Sequence, residues 1–130
     1  MRIICCLFLF ISVNFFSQKK IVEIDSVSGV IFETHTYSKQ KTIDIAKDFE
    51  YILKSEFGKK YNGFVRQYSL FRSYKDRKLK LFILFIPIEK SYDYKWRYKK
   101  IDYFYDDVLY TFYDFNNLIY NRIRPLPINE

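Results

Sequence analysis

Residues 78–86 read Lys-Leu-Lys-Leu-Phe-Ile-Leu-Phe-Ile and are nearly all apolar from Leu79 onward. A short run with apolar side chains at consecutive positions is typical of a strand that is buried on both faces. Pro87 follows this run and has no backbone N–H to donate, so it marks the end of the strand. We therefore predict that residues 78–86 form the central strand of a sheet.

The segments on either side of this strand also have extended patterns. A strand is predicted over Phe64–Arg72, and a short polar turn at residues 73–77 separates it from the central strand. Further along the chain, aromatic and basic residues alternate over residues 94–98, which predicts a strand that continues to about Tyr103. Three strands are therefore expected in the middle of the chain.

The beginning of the domain predicts a hairpin. Ile21–Asp25 alternates weakly between apolar and polar residues, and Val30–Tyr37 has the pattern of a second strand. Between them, residues 26–29 have the composition of a turn, in which Gly29 can adopt a positive φ.

The clearest helical pattern covers Thr42–Phe57, where apolar residues recur at steps of three and four. Thr42 is a suitable N-cap, and Gly58 follows the last apolar residue as a C-terminal stop signal. We predict one amphipathic helix between these two residues.

The last segment, residues 106–123, contains conflicting signals. Its apolar residues fit helical spacing, and Asp106-Asp107 could cap a helix, whereas its Tyr, Phe, Thr and Val residues favour strands. Because the helical spacing covers about four turns, we predict a helix, followed by an extended tail at residues 124–127. The predicted fold is α+β, with an antiparallel sheet of about five strands, the order ββαβββα, and two helices on one face.

The first seventeen residues predict a secretory signal peptide. A basic residue, Arg2, precedes an apolar run over residues 3–13, and the small residue Ser17 precedes a polar stretch. An uncleaved membrane anchor is the alternative, but the run is shorter than the roughly 17 residues that a spanning helix needs. We predict a signal peptide at 1–17, a single domain at 18–130 without a membrane span, and a secreted or periplasmic location.

Composition restricts what the exported domain can be. Both cysteines, Cys5 and Cys6, lie in the predicted signal peptide, which excludes disulfides and thiolate sites from the mature domain. Aromatic residues make up 22% of the chain, which is typical of a protein with a packed core and not of a disordered one. The net charge is +7, and removal of Arg2 leaves +6.

The positive charge is concentrated in the middle of the chain. Residues 58–80 contain eight basic residues against one acidic residue, and residues 90–100 contain five against one. If the three central strands are neighbours, these residues form a cationic sheet face that would attract an acidic protein or an anionic envelope polymer.

The alternative to a binding surface is a solvated sheet face without a ligand. Nucleic acid is disfavoured, because alternation places the aromatic and basic side chains on opposite faces. The candidate binding residues are Arg66, Arg72, Lys80, Lys95, Arg97 and Lys99.

Candidate catalytic residues are few. His35 is the only histidine, and Glu33 shares its strand face, but two ligands are too few for a zinc site. Asp25 and the serines at positions 26 and 28 lack the surroundings of a hydrolase nucleophile. We therefore predict no catalytic residue, metal or cofactor. The favoured hypothesis is a small exported non-enzymatic binding protein, and the alternative is an exported hydrolase or metal-dependent enzyme that uses His35 with nearby carboxylates.

Overall fold

A computed structural model describes residues 19–24, 27–32, 37–91 and 107–125. Within these residues the chain forms one α-helix and seven strands that belong to a single sheet. The elements are β1 (Lys19–Ile24), β2 (Val27–Phe32), α1 (Lys39–Phe57), β3 (Phe64–Arg72), β4 (Leu79–Pro87), a 3₁₀ turn (Ile88–Lys90), β5 (Leu109–Asp114), β6 (Ile119–Tyr120) and β7 (Arg124–Pro125).

The sheet is mixed, so the predicted antiparallel sheet of about five strands with two helices is wrong. Its strand order is β1-β2-β3-β4-β5-β6, and β7 also pairs with β5. Strands β2 and β3 run parallel, and the remaining pairs are antiparallel. The parallel pair follows from α1, because a crossover helix between two strands lets the second strand run in the same direction as the first.

The predicted helix over residues 106–123 is also wrong, because residues 109–114 form β5 and residues 119–120 form β6. Strand β5 pairs with β4, with Phe82 opposite Phe112 and Ile83 opposite Thr111. Tyr110 and Thr111 are both buried although they point to opposite faces. A strand that is buried on both faces does not alternate regularly between apolar and polar residues, so the spacing of its apolar residues was misleading.

The first hairpin is confirmed, but its turn is shorter than predicted. Ile24 pairs directly with Val27, so Gly29 lies within β2 and not in the turn. A Cβ atom at position 29 would lie only 2.5 Å from Cε2 of Tyr68. Gly29 is therefore needed for the close approach of the Tyr68 ring and not for a positive φ.

Helix α1 is confirmed, but its N-cap lies four residues earlier than the predicted Thr42. Its N-cap is Ser38, whose Oγ accepts a hydrogen bond from the backbone N–H of Lys41 at 3.2 Å. Thr42 instead lies in the first turn. Gly58 ends the helix as predicted: its φ is 59°, and its N–H donates to the carbonyl of Lys54 at 2.8 Å.

The sheet is buried on both faces around β4, as predicted for the central strand. On one face, α1 packs Phe49 and Leu53 against side chains such as Ile83 and Phe85. On the other face, a second buried cluster consists of Val30, Phe32, Val65, Leu84, Ile86, Val108 and Tyr110. In the part of the chain that the structure describes, no helix is long and apolar enough to cross a membrane.

Candidate functional site

A buried charged network connects α1 to β3. Glu50 is 5% exposed and Arg66 is 1% exposed, and their side chains form an ion pair with Nε 2.8 Å from Oε1. The same carboxylate oxygen accepts a hydrogen bond from the Tyr68 hydroxyl at 2.7 Å. Nη2 of Arg66 reaches the second oxygen of Glu50 at 3.4 Å. This network satisfies a carboxylate and a guanidinium inside the core, where an isolated charge would be costly.

The backbone and an aromatic ring hold Arg66 in this position. Its Nη1 donates to the carbonyl oxygens of Tyr61 at 2.9 Å and Phe64 at 2.8 Å. The guanidinium carbon also lies 4.4 Å from the centre of the Phe85 ring. Burial raises the pKa of the Tyr68 hydroxyl well above its usual value of 10.0, and the negative charge of Glu50 raises it further, while Arg66 acts in the opposite direction. The Tyr68 hydroxyl therefore keeps its proton and remains a hydrogen-bond donor.

A small cavity lies against this network, and we call it the Arg66 cavity. Its volume is about 260 Å³. Apart from Glu50 and Arg66, its lining comes from the end of α1, the following loop and the first hairpin. These lining residues are Ile24, Val27, Leu53, Lys54, Gly58, Lys59, Tyr61 and Asn62.

A larger, open groove of about 500 Å³ lies between the C-terminal end of α1 and β6, and we call it the β6 groove. Its lining residues are Glu56, Phe57, Lys60 and Tyr61 on the helix side and residues 118–123 on the other side. One hydrogen bond joins the two sides, from the Tyr120 hydroxyl to Oε2 of Glu56 at 2.5 Å. Partial burial raises the pKa of Tyr120, and the hydrogen bond to Glu56 raises it further, so this hydroxyl stays protonated.

Apolar side chains at the β6 groove are exposed. The exposed fraction is 39% for Phe57, 59% for Leu118 and 61% for Ile119. Leu118 has a φ of 55°, a left-handed conformation that favours glycine or asparagine. The Asp114 carboxylate fixes the turn before it by accepting backbone hydrogen bonds from residues 116 and 117 at 3.1 and 3.2 Å.

Basic residues flank these apolar side chains. The Lys60 ammonium lies 5.3 Å from the ring centre of Phe57 and 5.5 Å from that of Tyr61. Arg122 lies across the groove and is exposed. The β6 groove therefore combines an apolar surface with a positive rim.

The structure places the described members of the predicted cationic face in different environments. Arg66 is in the core. Strands β3 and β4 are neighbours. Arg72 pairs with Leu79, whereas Lys80 pairs with Phe71, the residue before Arg72. The side chains of Arg72 and Lys80 therefore point to opposite faces of the sheet. Arg72 donates to the backbone carbonyl of Arg77 at 2.7 Å, and Lys80 forms an ion pair with Asp76 at 3.2 Å. These three residues do not share one exposed face.

The remaining candidates lie outside the described residues, and for them the sequence predictions stand as predictions. They are Lys95, Arg97, Lys99, Asp25, Ser26, Glu33, His35 and Asp106. Asp107 is described, and its carboxylate pairs with the Lys90 ammonium at 2.6 Å. Among the described residues, no group of three or more His, Cys, Asp or Glu side chains could hold a metal ion.

Sequence reasoning missed the partner of Arg66 and the whole β6 groove. Glu50 lies on the apolar stripe of α1, four residues after Ala46 and three before Leu53, and a charge at such a position was a signal of a buried ion pair. The groove gave no comparable signal, because the predicted helix over 106–123 placed Leu118 and Ile119 in the core.

No protein-family model, curated protein or solved structure showed significant similarity to the chain. The two cavities and the residues that line them are therefore the features of the molecule that indicate a function.

Proposed function

We propose that this protein is an exported, non-enzymatic binding protein that holds an acidic protein partner at the β6 groove. The observation that carries the proposal is the presence of three exposed apolar side chains and two basic side chains at one open groove. Export is supported by the composition of residues 1–17, which is that of a signal peptide.

The apolar side chains indicate a protein partner. Single exposed apolar residues are common, but Phe57, Leu118 and Ile119 lie together at one groove, as at interaction sites. Leu118 is the most informative of the three. It is mostly exposed, and its left-handed conformation costs about 1 kcal/mol for a residue other than glycine. A leucine there adds little to the fold, whereas a partner surface would bury its side chain.

The charges at the groove indicate an acidic partner. Lys60 and Arg122 contribute two positive charges, and Glu56 contributes one negative charge whose carboxylate already accepts a hydrogen bond from Tyr120. The remaining positive potential attracts a segment that carries carboxylates beside an apolar side chain. The partner class is the one predicted from the basic composition of the chain, and the binding surface is a different one.

Site-specific photocrosslinking tests the location. A photoreactive amino acid at Ile119 should crosslink the protein to one partner in the envelope fraction of its own cells. The matched control is Tyr51, which is 72% exposed on α1 and lines neither cavity. Identical products from the two positions would show that the groove is not a specific interface.

The identified partner then allows a charge-reversal test with the purified proteins. The double variant Lys60→Glu with Arg122→Glu should bind at least about tenfold more weakly, mainly through slower association. The control variant, Lys47→Glu with Lys75→Glu, changes the same net charge at exposed lysines outside the groove and should bind almost normally. Equal losses in both variants would assign the effect to net charge and refute the groove.

A third variant separates binding from stability. Leu118→Asn removes the apolar side chain and introduces a residue that tolerates a positive φ, so the fold should be unchanged or up to about 1 kcal/mol more stable. Partner binding should fall, because the buried apolar contact is lost. Normal binding by this variant would exclude Leu118 from the interface.

A further inference from the structure

We infer that β1 is a dimerisation edge, where two copies of this chain join their sheets by antiparallel pairing of their β1 strands. Strand β1 lies at one end of the strand order and β6 lies at the other end. The inference is therefore independent of the protein partner proposed for the β6 groove, and a dimer would leave both grooves open.

The outer edge of β1 carries backbone groups that point away from β2. Ile24 pairs with Val27 across a connection of two residues, so these two residues exchange both of their backbone hydrogen bonds. Hydrogen-bonded positions alternate along an antiparallel pair, and Val22 therefore also faces β2. The N–H and C=O groups of Ile21 and Glu23 face outward, and among the described residues β1 pairs with no strand other than β2.

Strand β1 is the more suitable of the two sheet edges for pairing with another strand. Edges that stay unpaired are commonly very short, bulged or interrupted by proline. Strand β1 has six residues and no proline, and its register with β2 is uninterrupted. The described strands at the opposite edge, β6 and β7, have two residues each.

The side chain of Ile21 makes this edge apolar. Ile21 pairs with Val30, so the two side chains lie on the same face of the sheet. Val30 is fully buried in the cluster on the face opposite α1, whereas Ile21 is 57% exposed. A strand from another molecule would cover Ile21 and extend this apolar cluster across the edge.

A second copy of β1 complements this edge through a two-fold axis. Two registers pair most of the strand. With the axis at Val22, Ile21 lies opposite Glu23, which places an apolar side chain against a charge. With the axis at Ile21, the two Ile21 residues lie opposite each other, and Glu23 lies opposite position 19, which is a lysine. The second register matches apolar with apolar and acidic with basic, so the edge is complementary to itself.

Sedimentation equilibrium of the purified protein tests the dimer. The average mass should rise from one chain toward two chains between about 10 µM and about 1 mM. Ile21→Ser changes the residue on the axis in both copies and should weaken dimerisation at least about tenfold. The matched control is Ile119→Ser, the same change at a side chain that is 61% exposed at the opposite edge, and it should alter the dissociation constant by less than about twofold.

Three results of this experiment would overturn the inference. The mass of a single chain at every concentration up to about 1 mM would show that β1 is not a dimerisation edge. Equal losses in the two serine variants would show unspecific association of apolar surfaces. A loss confined to Ile119→Ser would place the dimer at the β6 groove.

Proline substitutions test whether the backbone of β1 makes the contact. Ile21→Pro removes an N–H that faces outward, so it should abolish the dimer and leave the urea midpoint of the dilute protein nearly unchanged. Val22→Pro removes an N–H that is bonded to β2 and should lower that midpoint. A dimer that persists in folded Ile21→Pro would exclude strand pairing. If Ile21→Pro does not fold, the dissociation constant of Ile21→Ser decides the question.

Disulfide crosslinking tests the register. In a chain with Cys5→Ser and Cys6→Ser, cysteines introduced by Ile21→Cys would have Cα atoms about 5.5 Å apart across the axis, which suits a disulfide. Cysteines introduced by Glu23→Cys would be about 14 Å apart and should crosslink at least about tenfold more slowly. Crosslinking at position 23 that is as fast as at position 21 would refute the register with the axis at Ile21.

Discussion

Replacing Glu50 by glutamine should destabilise the protein strongly, although the two side chains have nearly the same shape. The glutamine oxygen can take the position of Oε1 and accept hydrogen bonds from both Arg66 Nε and the Tyr68 hydroxyl, now at 2.8 and 2.7 Å. Its amide nitrogen then takes the position of Oε2, where it faces Arg66 Nη2 as a second donor. The substitution therefore keeps the short hydrogen bonds and removes the negative charge.

The magnitude follows from the burial of the charge that remains. Arg66 is 1% exposed, and after the substitution no carboxylate compensates its guanidinium. Removing one partner of a buried ion pair costs about 3–5 kcal/mol. Because the short hydrogen bonds survive, we expect the lower end, a loss of about 3 kcal/mol in the free energy of unfolding.

Urea unfolding of the purified protein, followed by far-ultraviolet circular dichroism, measures this loss. Tyr68→Phe removes one neutral donor and keeps the ion pair, so it should cost about 1.5 kcal/mol. Glu56→Gln alters an exposed carboxylate that also accepts a tyrosine hydrogen bond, and it should cost less than about 1 kcal/mol. If Glu50→Gln lowers the free energy of unfolding no more than Tyr68→Phe does, the charge of Glu50 contributes nothing to stability, and the predicted loss is refuted.

Two further predictions concern stability. The pKa values of Tyr68, Tyr113 and Tyr120 are raised by burial above the usual 10.0, so above pH 10 the unfolded chain loses these protons first and the free energy of unfolding should fall as pH rises. A urea midpoint that stays constant from pH 9 to strongly alkaline conditions would contradict this sign. Gly29→Ala should cost about 2 kcal/mol, because its methyl group would lie 2.5 Å from the Tyr68 ring. Gly63→Ala is the control and should be nearly neutral in the same urea experiment, since a Cβ there has no neighbour within 4 Å.

The elements with a single clear pattern could be predicted from the sequence. Helix α1 has an apolar stripe and a glycine at its C-terminal end, and β3 and β4 are separated by a polar turn. The local sequence pattern was therefore enough to predict each of these three elements. Strand β5 could not be recognised, because both of its faces are covered and its apolar spacing imitates a helix. The parallel pairing of β2 with β3 was not predictable either, since no local signal records which distant strand becomes the neighbour.

The candidate site was less predictable than the fold. Counting basic residues predicted an anionic ligand, which stays a prediction, and the count could not separate a buried arginine from an exposed one. The position of Arg66 depends on Glu50, which lies 16 residues earlier on a different element. The β6 groove forms where the C-terminal end of α1 packs beside β6. The hydrogen bond that joins its two sides, between Glu56 and Tyr120, links residues 64 positions apart. Both are tertiary contacts that periodicity does not record.

The parallel pairing of β2 with β3 also constrains how the chain folds. Gly29 pairs with Arg66, 37 positions later, whereas β3 meets β4 through a turn of only a few residues. Closing the longer loop costs more conformational entropy, and contacts between distant residues slow folding. Strands β3 and β4 can thus pair before α1 has formed and brought β2 next to β3. During that interval the edge of β3 that later receives β2 is open, so this edge is where an immature chain is most exposed to aggregation.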